Sequence, residues 1–261
     1  MTVAAGPEIE PARRPSGAGS ILLLQIRDQE QAELQERQCF VDISGRAPAA
    51  FRYQNLLAEP EVDAATLAGV EAIVVGGAGS HSVTGKHPFS APLTRLLRDQ
   101  VAAGRPIFGS CFGHQFLAAA LGGRVETDIE RSELGTYDLE LTAAGVADPL
   151  FARLPRRFPV QLGHNDRVVE LPPGAVELAR TERCPVQVFR LTGAPVWGCQ
   201  FHVELTPERM IERATLYRAG YLPDEATLTR LAGSLRPSPE AASLFARFLD
   251  LAADAAAGER A

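Results

Sequence analysis

Residues 105–123 read RPIFGSCFGHQFLAAALGG. A short apolar run of β character breaks at Gly-Ser-Cys, and an alanine-rich helix pattern starts at once, closed by Gly122 and Gly123. A chain that passes from strand to helix without a linker must hold the turn residue in a strained backbone, and it projects that side chain beyond the end of the sheet. Cys111 occupies the turn, with Gly109 and Gly113 as the small neighbours such a turn needs. The same alternation surrounds it. ILLLQI (21–26), FRYQNLL (51–57) and VEAIVVGGAG (70–79) are apolar runs of strand length, and EQAELQERQCF (30–40) is polar with helix formers. PFSAPLTRLLRDQVAAG (88–104) sets Leu93, Leu96, Leu97 and Val101 at helical spacing and stops at Gly104. This order predicts parallel strands joined by helical crossovers, with a site at the strands' carboxyl ends.

The second half has a different texture. GRVETD, GTYDLELT, FPVQLGHND, AVELAR, PVQVFR and PVWGCQFH are short β-like pieces between Pro, Gly and Asn turns, expected to extend the sheet or to add a small antiparallel layer. From Thr206 the pattern is helical: Thr206 is a candidate N-cap, Pro207 takes the first helical position, and Glu208 follows. A last helix carries Leu244, Phe245, Phe248 and Leu251 as an apolar stripe. The expected fold class is α/β, with a mainly parallel central sheet flanked by helices. Residues 1–19, rich in Gly, Pro and Ala, are expected to be a disordered leader. Residues 20–215 form the expected functional domain, and residues 216–261 a C-terminal helical extension packed on it.

Composition narrows the function. The formal net charge of −6 gives no support for nucleic acid or an anionic membrane as partner. No apolar run approaches the roughly 20 residues that span a bilayer. Four cysteines (39, 111, 184 and 199) lack CxxC spacing, and the N-terminus lacks a secretory apolar region, so a reducing cytoplasm is the expected compartment. Five scattered histidines do not make a metal site; His81, His87 and His114 read as surface or loop residues. No metal and no cofactor is expected.

The chemistry converges on Cys111. A free thiol has a pKa of about 8.5, and a helix N-terminus together with a neighbouring histidine favours its thiolate. A cysteine nucleophile needs a base, and the base an orienter. VWGCQFHVELTPE supplies His202 and Glu204, which point the same way on an extended segment, at the end of a strand and just before a helix. Gly76 and Gly77, after a buried strand, leave approachable backbone N–H groups; such a loop and the N–H following Cys111 can form an oxyanion hole. Neither a P-loop nor a G-x-G-x-x-G opening a helix is present. Cys39, Cys184 and Cys199 read as small packed residues.

These pieces, in this order, resemble the class I glutamine amidotransferases: GGAGSHSV, GSCFGHQ, QLGHND and FHVE stand where that family has its Gly-Gly loop, its G-x-C-x-G-x-Q elbow, a His-containing strand and H-P-E. The resemblance runs from about residue 21 to 215 and is nearest to free-standing proteins related to the glutaminase domain of GMP synthetase. It implies a flavodoxin-like fold of that family and the release of ammonia from glutamine through a γ-glutamyl thioester. Cys111 would be the nucleophile, His202 the base and Glu204 the orienter. Gly77 and Phe112 would form the oxyanion hole, with Gln115, Gly163, His164, Asn165 and Asp166 around the substrate; for His164 a structural role in a turn is weighed equally. Two other readings stand beside this one: hydrolysis of a γ-glutamyl peptide or conjugate by the same machinery, and a non-catalytic binding or regulatory module on the same fold. The partner that the resemblance implies is an ammonia-accepting synthetase subunit. Val203 replaces the family's Pro, and no synthetase domain follows in the sequence.

Overall fold

The computed structural model describes residues 20–222 and 224–258; the leader, residues 1–19, lies outside the described residues. The first half alternates as the sequence pattern predicts. Strands β1 (Ser20–Gln25), β2 (Phe51–Asn55), β3 (Val70–Val75) and β4 (Ile107–Ser110) are interleaved with helices α1 (Glu30–Ser44), α2 (Ala64–Leu67), α3 (Ser90–Ala102) and α4 (Phe112–Ala120). The second half brings β5 (Arg124–Thr127), β6 (Glu133–Leu141), α5 (Ala143–Ala147), β7 (Arg157–His164), β8 (Asp166–Glu170), β9 (Ala175–Arg180), β10 (Val188–Leu191) and β11 (Val196–Cys199). Helices α6 (Pro207–Leu216), α7 (Arg218–Tyr221), α8 (Glu225–Ser234) and α9 (Pro239–Gly258) complete the described chain.

Nine strands form one sheet in the order β2-β1-β3-β4-β11-β10-β9-β6-β7. The five strands from β2 to β11 are parallel. Beyond β11 every pairing is antiparallel, so the β-rich second half extends the sheet, and the whole is mixed. Among the described residues, β5 and β8 pair apart from it as a two-stranded sheet. Strands β1, β3, β4 and β11 are buried on both faces, which is why they are largely apolar, whereas the edge strand β2 is only partly buried. In β1, Leu22 and Leu24 face one cluster with Leu93, Leu97 and Leu117. Ile21 and Leu23 face the other, with Phe40, Phe108 and Phe245. These are the period-two faces of one strand.

Helix α9 supplies much of that second face. Phe245 is fully buried, with its ring centroid 5.0 Å from Phe40 and 5.9 Å from Phe108. Leu244 and Phe248 are buried beside it, and Leu251 is partly buried against the same cluster. The C-terminal helix is thus part of the main core.

His114 departs from the sequence reading. His81 and His87 lie in the loop after β3, partly buried, but His114 is fully buried in α4, its ring centroid 5.1 Å from Phe189. Gly198 makes the space: a Cβ built there would lie 2.8 Å from His114 Nδ1. The histidine follows the elbow at once, on the face that α4 turns to the sheet, so polarity alone mislocated it. Burial pushes its pKa down to about 3, so the native imidazole is neutral.

Two outcomes follow from this packing. Phe245→Ala should cost about 3–5 kcal/mol of unfolding free energy by urea denaturation; a loss under about 1 kcal/mol would show that α9 does not close the core. For His114, the unfolded chain binds a proton below about pH 6.5 and the folded chain does not until about pH 3. Its contribution is therefore complete above about pH 6.5 and is lost as pH falls, by about 1.4 kcal/mol per unit. Between pH 7 and 5 the wild type should lose about 2 kcal/mol more stability than His114→Gln; equal losses would contradict a buried neutral imidazole.

Candidate active site

The strand β4 ends at Ser110, the helix α4 begins at Phe112, and Cys111 between them has φ 51° and ψ −102°. A non-glycine residue held there costs about 1–3 kcal/mol and persists only when its surroundings fix it. The surroundings do so. The Cys111 N–H donates to Cys199 O at 2.9 Å, and the Gly113 N–H donates to Gly76 O at 3.1 Å. This pins the elbow between the ends of β11 and β3. Larger residues would not fit: a Cβ on Gly113 would lie 2.1 Å from Val75 O, and one on Gly109 2.6 Å from the Gly113 carbonyl. The sulfur is near enough to the His202 ring to help raise its pKa. It also meets Gly163 O at 3.8 Å and Gln200 Nε2 at 3.7 Å.

His202 follows β11, and its N–H donates to Gln161 O at 2.9 Å. Its Nδ1 is 2.7 Å from Glu204 Oε1. The other carboxylate oxygen accepts from Ser110 Oγ at 3.1 Å. Burial alone would lower the histidine's pKa, but the Glu204 carboxylate and the Cys111 sulfur outweigh it and hold His202 well above its ordinary value. Burial likewise opposes ionisation of Glu204, and the imidazolium and Arg213 reverse that, holding it below the usual carboxylate range. Val203 is buried and leaves the histidine and glutamate on the same side.

A cavity of about 230 Å³ opens beside Cys111. Phe112, the first residue of α4, lines it, as do Gln115 and the segment Gly163–Asp166. Gln115 Nε2 donates to Asp166 O at 2.7 Å and to Gln200 Oε1 at 3.1 Å, so this side chain also braces the cavity wall. The Asp166 carboxylate accepts from Ser82 Oγ at 2.5 Å, Val83 N–H at 3.1 Å and Thr127 Oγ1 at 2.6 Å. Asn165 is exposed at the rim. The Gly77 N–H does not point into an empty hole: it donates to Glu36 Oε1 at 3.1 Å, an oxygen that also accepts from Arg27 Nη2 at 2.6 Å.

His164 belongs to a second Cys-His-Glu grouping. Its Nδ1 donates to Asp166 O at 2.9 Å, and its Nε2 is 3.1 Å from Glu133 Oε2. Glu133, His164 and Cys184 are all buried, with ligand atoms within 4.8 Å of one another, and are the one trio of such residues that could hold a metal among the described residues. Gln187 Nε2 donates to the same Glu133 oxygen at 2.5 Å. Cys184 sits in the turn before Pro185, and burial and Glu133 push its thiol up to about 12. Burial also pushes Cys39 up to about 12 and Cys199 well above the ordinary thiol value. Of the four sulfurs, that of Cys111 combines the elbow, the cavity and the imidazolium.

Sequence reasoning did not single out Glu133, Arg27, Glu36 or Arg213. Arg27 had one available signal: it lies two residues past the carboxyl end of β1, the edge on which sites of this fold class lie. Glu36 and Arg213 are helical charges whose burial depends on how α1 and α6 meet.

The chain belongs to the class-I glutamine amidotransferase family, whose pattern matches residues 49–215. It is 40% identical over 100 residues to a subunit of glutamine-hydrolyzing GMP synthase from Thermococcus kodakarensis, covering 38% of this chain and 51% of that one. It is 42% identical over 101 residues to the glutamine-hydrolyzing GMP synthase from Thermosipho melanesiensis, covering 39% and 19%. The matches thus span about half, or less, of these relatives' length. Its fold is also that of a glutamine amidotransferase from Thermotoga maritima, with a TM-score of 0.73 at 22% identity over 90% of this chain and 98% of that one. A glutamine amidotransferase from Methylobacillus flagellatus gives 0.68 at 20% identity over 90% and 95%.

Brief treatment with iodoacetamide at neutral pH should alkylate Cys111 first, because its sulfur borders the cavity at the elbow while burial holds the other three thiols protonated. Peptide mass spectrometry reads the site. Faster modification of Cys39, Cys184 or Cys199 would contradict the assignment.

Proposed function

We propose that the protein hydrolyses the γ-amide of glutamine, or of a closely related γ-glutamyl amide, through a thioester on Cys111. The observation that carries this reading is the placement of Cys111 at the elbow beside His202, both lining the cavity, with His202 Nδ1 bonded to Glu204. The Cys111 thiolate attacks the γ-carbonyl carbon. The carbon–nitrogen bond breaks, and His202 gives its proton to the departing nitrogen, releasing ammonia. Water, deprotonated by His202, then attacks the thioester; glutamate leaves and the thiol is restored. Glu204 holds the imidazole and stabilises its charge throughout.

The Phe112 N–H at the start of α4 is the oxyanion donor we assign. Gly77 would join it once its N–H is released from Glu36. Asp166 and the neighbouring wall would take the amino-acid end of the substrate. The relatives named for GMP synthase support a partner that accepts ammonia, a synthetase subunit. No helix among the described residues is long and apolar enough to cross a membrane; four cysteines free of disulfides suit a cytoplasmic setting.

Ammonia release from glutamine, followed by a coupled assay with and without cell extract, tests the reading. His202→Asn should lower the rate by about 10²–10⁴-fold, the usual contribution of a general base. Glu204→Gln, which keeps shape and a hydrogen-bond partner, should lower it less. Wild-type activity in His202→Asn would remove that residue from the mechanism. Tight partner binding with no turnover under either condition would favour a regulatory module.

A further inference from the structure

Glu133 at the start of β6, His164 at the end of β7 and Cys184 in the turn before β10 meet beside the cavity, and the chemistry assigned to Cys111 does not use them. All three are buried, at 0%, 3% and 1% exposure. The hydrogen bonds around them do not close. His164 Nδ1 lies 2.9 Å from Asp166 O, and Nε2 lies 3.1 Å from Glu133 Oε2. Both oxygens are acceptors, and a neutral imidazole has one N–H to offer. With that N–H on the backbone carbonyl, the Nε2 lone pair faces the carboxylate.

Other acceptors crowd the same place. Glu133 Oε2 takes the Gln187 amide N–H at 2.5 Å, but Glu133 Oε1 has no hydrogen-bond partner, and neither has Gln187 Oε1. Among the described residues no lysine or arginine pairs with Glu133; its ion-pair partner is His164. The Cys184 sulfur makes a long contact of 3.5 Å with Pro185 O. A second proton on His164 would serve Glu133 Oε2 and leave the other carboxylate oxygen and the sulfur unmet. A cation between the imidazole, the carboxylate and the sulfur serves all three.

We propose that Glu133, His164 and Cys184 bind a zinc ion. One imidazole nitrogen, one carboxylate and one thiolate form a donor set suited to this borderline ion. A tetrahedral zinc, with bonds of about 2.0–2.3 Å, sets its ligand atoms about 3.3–3.8 Å apart. The trio brackets that spacing, with 3.1 Å between His164 Nε2 and Glu133 Oε2 and all three ligand atoms within 4.8 Å of one another. Binding releases the Cys184 thiol proton to solvent. The fourth position is left for water, and Gln187 Oε1, on the amide that already touches Glu133, is an acceptor for it. The Nδ1–H of His164 on Asp166 O is the outer contact that fixes the tautomer and presents Nε2 to a metal. The same carbonyl accepts from Gln115 Nε2 at 2.7 Å, so the ion would tie β6, β7 and the turn before β10 to the helix that follows Cys111. The site stands independently of the reaction at Cys111.

Zinc binding to the full-length Cys111→Ala chain tests this, because Cys111 and His202 are themselves a thiol and an imidazole that a metal could bridge. After dialysis against a chelator, calorimetry should show one zinc per chain. Zinc at about a hundredfold excess over its dissociation constant should raise the melting temperature by about 5–10 °C. Cobalt(II) in its place should give a thiolate charge-transfer absorption. Adding Cys184→Ser should abolish that absorption and weaken zinc by more than the roughly 10–100-fold that loss of an outer contact costs. His164→Gln, which keeps an amide near Asp166, should weaken zinc as strongly and serves if the serine chain does not fold. Absence of zinc binding to Cys111→Ala would overturn the site, as would a cobalt spectrum without thiolate absorption; neither result needs the further variants. Undiminished binding in folded Cys184→Ser or His164→Gln would overturn it too. So would nitrogen NMR showing both His164 ring nitrogens protonated in excess zinc, which would assign the place to an imidazolium–carboxylate pair.

Discussion

The turn at Cys111 is the constraint on which the rest of the site depends. A cysteine at φ 51° is tolerated because α4 starts against the end of β3 with no Cβ at Gly113 to keep it off Val75 O. That contact aims the sulfur past the carboxyl edge of the sheet, at the N-terminus of α4. The parallel order β3-β4-β11 then delivers the other half of the chemistry, because β11 is the immediate neighbour of β4 and carries the chain directly to His202. Cys111 and His202, far apart in sequence, meet because their strands are adjacent.

Electrostatics complete the arrangement. His202 and Glu204 are both buried, and each keeps its charge because of the other. Behind them, α1 and α6 bring Glu36 and Arg213 close, and Arg27 closes the set. Buried charge sets of this kind contribute little net stability and fix geometry instead. Here the same carboxylate, Glu36, holds both Arg27 and the Gly77 N–H. The loop that carries Gly77 is therefore coupled to the position of α1.

Much of this was legible in the sequence, and the reasons are local. The paired glycines around Cys111, the strand-length runs before them and the in-phase His202 and Glu204 are short-range signals of backbone need and side-chain direction. The C-terminal stripe of Leu244, Phe245 and Phe248 marked a helix with an apolar face to cover, and in the structure that face lies in the main core, against Phe40 of α1. What escaped was set by tertiary contact. His114 is buried only because Gly198 on β11 leaves room for a ring. Arg213, Glu36 and Glu133 look like ordinary surface charges until helices and strands distant in sequence enclose them. The mixed character of the sheet was half visible: the β pieces of the second half were apparent, but their pairing directions depend on connections that local pattern does not encode.

The central claim is that Cys111 carries the acyl group during turnover. Acid quenching of the protein during glutamine hydrolysis, followed by peptide mass spectrometry, tests it directly. The account predicts a mass gain of one γ-glutamyl group on the peptide containing Cys111, absent in Cys111→Ala and lost on treatment with hydroxylamine. Turnover with the adduct on Cys184, or turnover that persists in Cys111→Ala, would contradict it.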